Sequence, residues 1–449
     1  MALHNIEKKS LAYSILYYYV KFWYKKVFYR KVVIINYDKV PDQGSMIFTP
    51  NHQNALMDAL AMLFAVKKQL VFMARSDIFK KFAPILYFLK ILPIYRIRDG
   101  IDTLKKNQAV FDKTVDVLNA NNGLVILPEG NHKGERRLRQ LKKGFARIAF
   151  QTEEAGGVKN GIQVIPVGID YDDYVHCRSR QLINFGNPID VSDYIKDYKD
   201  NPAIGLNKIK NRLAEAMKPL IIHIKSEHYY SLIDDLRVLF RRDMCLKLDM
   251  NPKDEVDGFL ADQRFVEVMD KSIETSQESI SELDNNYKKI TKILDKVNLK
   301  ASDMKSRSTV FSFLSKTVVL IITFPFFIYG YLNHLLPYCL PKLITNKVKD
   351  EMFHTSFLFV LTLVSFPIFY ILQSLVIYFL LDSWWIALGY FLTLPLFAIA
   401  AWKWKNLFLK SVNDFRKIRF YKTKQFAEAT RLFDNIHQIT NSLIDNYLM

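Results

Sequence analysis

Three long apolar runs, Thr317 to Leu336, Phe353 to Leu381 and Trp384 to Ala401, constrain this chain more than anything else in it. Backbone polar groups inside lipid must be satisfied within the segment, so runs of this kind can only be helices. The second run is long enough to span a bilayer with some tilt. The third is near the minimum length and is flanked by Trp384, Trp385, Trp402 and Trp404, the pattern of an interfacial aromatic belt. The first contains Pro325 and stops at Pro337, which predicts a broken segment. Lys342, Lys347 and Lys349 follow it, and a lysine- and arginine-rich stretch follows Trp402. Three full spans would put these two basic segments on opposite sides, against the positive-inside tendency. The expectation is therefore two spans plus one re-entrant or partial segment within 311–402, with three spans as the alternative. Residues 403–449 then form a basic cytoplasmic tail, and the N-terminal domain faces the same cytoplasmic side.

The remaining residues have a different character. Of 449 residues, half are hydrophobic, enough for a soluble core beside the apolar runs, and the length suits two to three domains. The net charge of +18, with cations beside apolar runs, fits an anionic lipid surface better than nucleic acid, and no nucleic-acid partner is expected. Cys177, Cys245 and Cys339 are too widely spaced for a disulfide framework or a metal site, so no metal is expected. The start, MALHNIEKKS, lacks the pattern of a cleaved signal. Residues 1–35 mix aromatics with Lys21, Lys25, Lys26, Arg30 and Lys31, which predicts an interfacial amphipathic helix rather than a span.

Residues 36–240 read as α/β. Met46–Thr49, Leu70–Met73, Leu124–Leu127 and Val164–Val167 are short, β-branched or aromatic, and bounded by turn residues or charges. Leu104–Leu118 reads as a helix stopped at Asn121-Asn122-Gly123. Strands alternating with helices imply a mostly parallel sheet with helices on its faces, and a site at the carboxyl ends of its strands. Residues 241–310 are polar and helical, with Ile280, Leu283, Ile290 and Ile293 at helical spacing.

Chemistry concentrates at three places. Asn51-His52 follows the first strand, and Asp58 comes six residues after the histidine. A carboxylate on one ring nitrogen would fix the tautomer and leave the other to take a proton from a hydroxyl. Pro128-Glu129-Gly130 follows another strand, where Glu129 can bind hydroxyls and Gly130 lets backbone N–H groups approach a ligand. Arg96, Arg98, Lys133, Arg136, Arg137, Arg139, Lys142 and Lys143 are cations suited to phosphate, although a cationic surface facing lipid accounts for more than half of them. Ile165-Pro166-Val167-Gly168 reads as a buried strand whose proline limits pairing.

Asn-His with a following Asp, an Arg after an apolar run, Pro-Glu-Gly, then Ile-Pro-Val-Gly, in this order, resembles the glycerophospholipid acyltransferase family over roughly residues 32–190. The resemblance implies an α/β acyltransferase domain that uses acyl-CoA or acyl-carrier protein as co-substrate, without a cofactor. It implies His52 as base, Asp58 as its partner, Asn51, Arg96, Glu129 and Gly130 in substrate binding, and Pro166 at the acyl or acceptor pocket. Two departures stand out. Five residues separate His52 from Asp58 where four are usual, a spacing similar to the branch with fungal glycerol-3-phosphate and dihydroxyacetone-phosphate acyltransferases. Asn131-His132-Lys133 stands where many members have Thr-Arg-Ser, so the usual phosphate contact is expected at Lys133 or Arg136. The resulting expectation is a membrane-bound O-acyltransferase acting on a glycerol-phosphate acceptor, glycerol 3-phosphate or 1-acylglycerol 3-phosphate. The alternatives are an acyltransferase for another lysolipid, and an acyltransferase-like membrane scaffold without activity.

Overall fold

The computed structural model describes residues 6–95, 103–154 and 161–448. The chain divides into two compact units, residues 1–223 with 348–359, and residues 224–347 with 360–449.

Among the described residues of the first unit, eight strands form one sheet. They are β1 (Lys31–Ile35), β2 (Ser45–Pro50), β3 (Leu70–Arg75), β4 (Ile91–Ile94), β5 (Gly123–Val125), β6 (Ile162–Tyr171), β7 (Arg180–Phe185) and β8 (Ile189–Asp190). Their order is β1-β7-β6-β2-β5-β3-β4, with β8 also on β6. All pairings are parallel except those of β6 with β7 and with β8. The mostly parallel α/β sheet expected from sequence is present. Side chains alternate across it as the pleat requires. Ile47, Val71, Leu124 and Val164 enter one core, under helices Thr103–Asn119, Gly144–Glu154 and Pro202–Met217. Phe48, Leu70, Phe72, Val125 and Ile165 enter the other, under helix Ala55–Ala65 and the rings of Tyr24, Phe28 and Tyr29. Burial on both faces explains why β2 reads as a continuous apolar run.

Two boundaries differ from the sequence reading. Residues 31–35 are edge strand β1 rather than part of an N-terminal interfacial helix, because Val32-Val33-Ile34-Ile35 is β-branched and pairs with β7. The helix itself is Leu11–Phe22, followed by a π-helical turn at Trp23–Phe28. The α/β unit ends at His223 rather than residue 240, and it regains residues 348–359 from beyond the first apolar run.

In the second unit, helices Tyr230–Lys247, Glu255–Thr275, Gln277–Asp295 and Lys424–Leu448 pack on one another. Arg237 and Arg241 converge on the buried Asp262, each at 2.6 Å. Residues 403–449, expected as a basic tail, are instead the end of helix Trp384–Phe420 and the packed helix Lys424–Leu448. Val310–Thr345, Met352–Leu381 and Trp384–Phe420 are each long and apolar enough to cross a membrane. The first apolar run is not broken at its prolines. Val310–Thr345 is one 36-residue helix through Pro325, Pro337 and Pro341. Neighbouring helices can re-satisfy the backbone groups that proline frees, which is why an apolar helix tolerates it.

Candidate active site

β2 and β5 are adjacent parallel strands, so the loops leaving their carboxyl ends emerge side by side. One loop carries His52 and the other Glu129. His52 Nδ1 lies 2.8 Å from Asp58 Oδ2. Asp58 projects from the first turn of helix Ala55–Ala65 and is fully buried. Its Oδ2 also accepts the backbone N–H groups of Gln53 at 2.8 Å and Asn54 at 2.7 Å, and its Oδ1 accepts the Tyr171 hydroxyl at 2.7 Å. A carboxylate only accepts, so Nδ1 carries the proton and Nε2 presents a lone pair. Nε2 makes no hydrogen bond among the described residues, and the side chain stays 15% exposed. The extra residue between His52 and Asp58 is absorbed in the turn, where Ala55 takes φ +40°. That left-handed conformation is costly for a residue with a Cβ and is held by the bonds around Asp58. Burial and the charge of Asp58 keep the Tyr171 phenol protonated far above its ordinary range, so it stays a donor.

Glu129 binds the two loops together. Its Oε1 accepts the His52 N–H at 3.2 Å and its Oε2 accepts Arg139 Nε at 2.5 Å. Arg139 also donates to the His52 carbonyl and to Asn131 Oδ1, both at 2.9 Å. Burial pushes the Glu129 carboxyl above its ordinary value, against the charge of Arg139. Gly130 has φ +75°, a left-handed turn that favours glycine.

Several expected ligands sit elsewhere. Asn51 is buried, and its side-chain amide exchanges hydrogen bonds with the backbone of Ile169, at 3.0 and 2.6 Å. It staples the His52 loop to β6 rather than meeting substrate. Arg136 is buried with its guanidinium on the Tyr171 carbonyl, near Asp170 and over the Tyr174 ring, so it holds the fold rather than a phosphate. Lys133 is exposed and pairs with Glu135 at 2.6 Å. Pro166 is buried in β6, between the stretches paired with β8 and β7, where its missing N–H costs no ladder bond. Arg96 and Arg98 lie outside the described residues. Sequence reasoning had grouped Arg139 with other cations and passed over Tyr171. Neither carries a local signal, since both meet the motif only through the fold.

Residues 31–170 match the acyltransferase family model. The 1-acyl-sn-glycerol-3-phosphate acyltransferase of Streptococcus pneumoniae is 28% identical over 199 residues, 43% of this chain and 67% of that protein. Glycerol-3-phosphate O-acyltransferase 1 of Saccharomyces cerevisiae is 26% identical over 144 residues, 31% of this chain but only 19% of that protein. A crystal structure of the 1-acyl-sn-glycerophosphate (LPA) acyltransferase from Thermotoga maritima matches with a TM-score of 0.33 and 17% identity, over 46% of this chain and 79% of that one. The family resemblance read from the ordered motifs holds: residues 31–170 form an acyltransferase-family domain.

Proposed function

We propose that this chain is a membrane-bound O-acyltransferase that moves a fatty acyl group from a thioester donor, acyl-CoA or acyl-carrier protein, to a hydroxyl of glycerol 3-phosphate or 1-acylglycerol 3-phosphate. The observation that carries this reading is the His52–Asp58 pair, 2.8 Å apart at the carboxyl edge of the sheet with Nε2 unengaged. In the reaction, His52 Nε2 takes the acceptor's hydroxyl proton as that oxygen attacks the thioester carbonyl. The tetrahedral intermediate collapses, the C–S bond breaks, and the leaving thiolate takes the proton from His52. The products are an ester and a free thiol. General base catalysis of this kind contributes on the order of 10²–10⁴-fold, and holding both reactants in line contributes more. No metal or cofactor enters these steps. The relatives named for glycerol 3-phosphate and for its 1-acyl derivative support the acceptor class.

Two features support membrane attachment. Leu11, Ile15, Tyr18 and Phe22 form an exposed apolar stripe at helical spacing on helix Leu11–Phe22, followed by Lys25 and Lys26. The three apolar helices supply the rest. Residues 348–359 belong with residues 1–223, and helix Lys424–Leu448 packs on Gln277–Asp295. No run of membrane length lies between residues 223 and 310. The positive-inside tendency favours two crossings, Met352–Leu381 and Trp384–Phe420, turning at Asp382-Ser383 with the basic segments cytoplasmic, whereas the unbroken helix Val310–Thr345 favours a third.

The test uses the full chain in lipid nanodiscs, with a labelled thioester offered alongside glycerol 3-phosphate, 1-acylglycerol 3-phosphate or dihydroxyacetone phosphate. Labelled ester and thiol should form in equal amounts with one of the first two acceptors, and His52→Ala should lose at least ~10²-fold. Unchanged transfer by His52→Ala would refute the mechanism, and no transfer by the wild type would favour an inactive scaffold.

A further inference from the structure

Residues 348–359, the end of the link after helix Val310–Thr345 and the first two turns of helix Met352–Leu381, are part of the α/β unit and reach the catalytic loops. Asp350 Oδ2 lies 2.9 Å from His132 Nε2. The His132 ring packs T-shaped against Phe353, with ring centroids 4.5 Å apart, and against His52, with centroids 5.4 Å apart. Ser356 Oγ accepts the Leu56 N–H at 3.2 Å, at the start of the helix that carries Asp58. Gly134 leaves the space that Met352 fills, since a Cβ there would collide with the Met352 sulfur. Nothing in the proposed reaction uses His132 or this segment.

An imidazole on a carboxylate favours its charged form. Burial would raise Asp350, but the bonds from His132 and the Met352 N–H, with the charges of His132 and His354, hold it below the usual carboxylate range. His52 is faced by Asp58 at Nδ1, by Glu129 and Arg139 through its backbone, and by the His132 ring.

We propose that His132 and Asp350 form a second imidazole–carboxylate pair, a positioning pair that holds positive charge against the His52 ring and so keeps His52 unprotonated and ready to act as base. Like charges close together resist joint protonation, so a cation at His132 opposes a proton at His52. The inference rests on the reading of His52 as the base. It makes residues 350–356, at the start of the second apolar helix, a support for the base.

The test follows His52 without needing turnover. Diethyl pyrocarbonate modifies neutral imidazole, and mass spectrometry of the full chain in nanodiscs reads the pH midpoint of its reaction at residue 52. Asp350→Asn should move that midpoint upward by on the order of one pH unit, because it removes the support for the neighbouring cation. His132→Gln should give the same shift, the double variant no more than either alone, and Asp350→Glu should restore the wild-type value. The acidic limb of kcat/KM should move in parallel. A midpoint unmoved in Asp350→Asn, whatever happens to activity or Tm, overturns the pair. A midpoint that moves in a chain without acyl transfer upholds the pair and refutes the proposed function instead.

Discussion

Replacing Asp58 by Asn tests the site at its most connected atom group. The carboxylate is buried and takes four donors, His52 Nδ1, two backbone N–H groups and the Tyr171 hydroxyl. Asn keeps the shape. Its Oδ1 can serve the three donors that now share Oδ2, and the Tyr171 hydroxyl can rotate to accept from Nδ2, so no group is left orphaned. What disappears is the charge. Hydrogen bonds to a charged group contribute about 1.5–3 kcal/mol each and neutral ones about 0.5–1.5, so four bonds that each lose about 1–1.5 should cost the variant about 4–6 kcal/mol of stability. Catalysis should suffer as well. The imidazolium formed during transfer loses the counter-charge now 2.8 Å away, and the whole contribution of the base, on the order of 10²–10⁴-fold, is at risk. That corresponds to about 3–5.5 kcal/mol in the barrier. The assay is thiol release from the acyl donor at saturating acceptor, beside a thermal melt of the same preparation. A folded Asp58→Asn chain within threefold of wild-type activity would refute the role given to this carboxylate.

Glu129→Gln isolates a buried charge. The fold raises this carboxyl above its ordinary 4.5, so it favours the protonated form. The stability this contributes is present in acid and is lost as pH rises through the raised value. The Tm of wild type minus that of Glu129→Gln should therefore fall as pH climbs from 4.5 toward neutrality, and parallel curves would contradict the assignment. Gly168→Ala should cost about 1–3 kcal/mol or more, because its Cβ would be driven into the Leu220 carbonyl. It should also lower activity by shifting Ile169, which holds Asn51, and an unchanged Tm would show that the strand yields freely. In the apolar helices, His334 Nε2 meets Tyr370 Oη at 2.7 Å. His334→Leu should weaken the helix bundle by roughly 0.6–2 kcal/mol in a steric-trapping measurement, and no change would mean that the contact does not hold the helices together.

The parts of this molecule that were legible in the sequence are those whose information is local. β2, β3 and β6 announced themselves because central parallel strands are apolar on both faces, and the His52–Asp58 pair lies within six residues on a strand-to-helix turn. β1 was hidden beside a basic-aromatic helix, and β7 and β8 give little away alone, since their place depends on pairing with strands far along the chain. The cations show the limit most sharply. Arg136 and Arg139 are three residues apart in one basic stretch, and nothing local separates them. The fold turns Arg136 inward to Tyr171 and Asp170 and turns Arg139 toward Glu129 and His52. Asn51 shows the same limit. An Asn beside a catalytic His looks like a ligand until β6 supplies Ile169, whose backbone occupies both ends of the amide. Asp350, 218 residues from His132, had no local signal at all. Chemistry that depends on one turn can be read from sequence, whereas a residue whose role is set by a partner strand or a returning segment waits for the coordinates. That division gives the variants above their value. Asp58→Asn tests what the motif already implied, while Asp350→Asn tests a contact that only the fold creates.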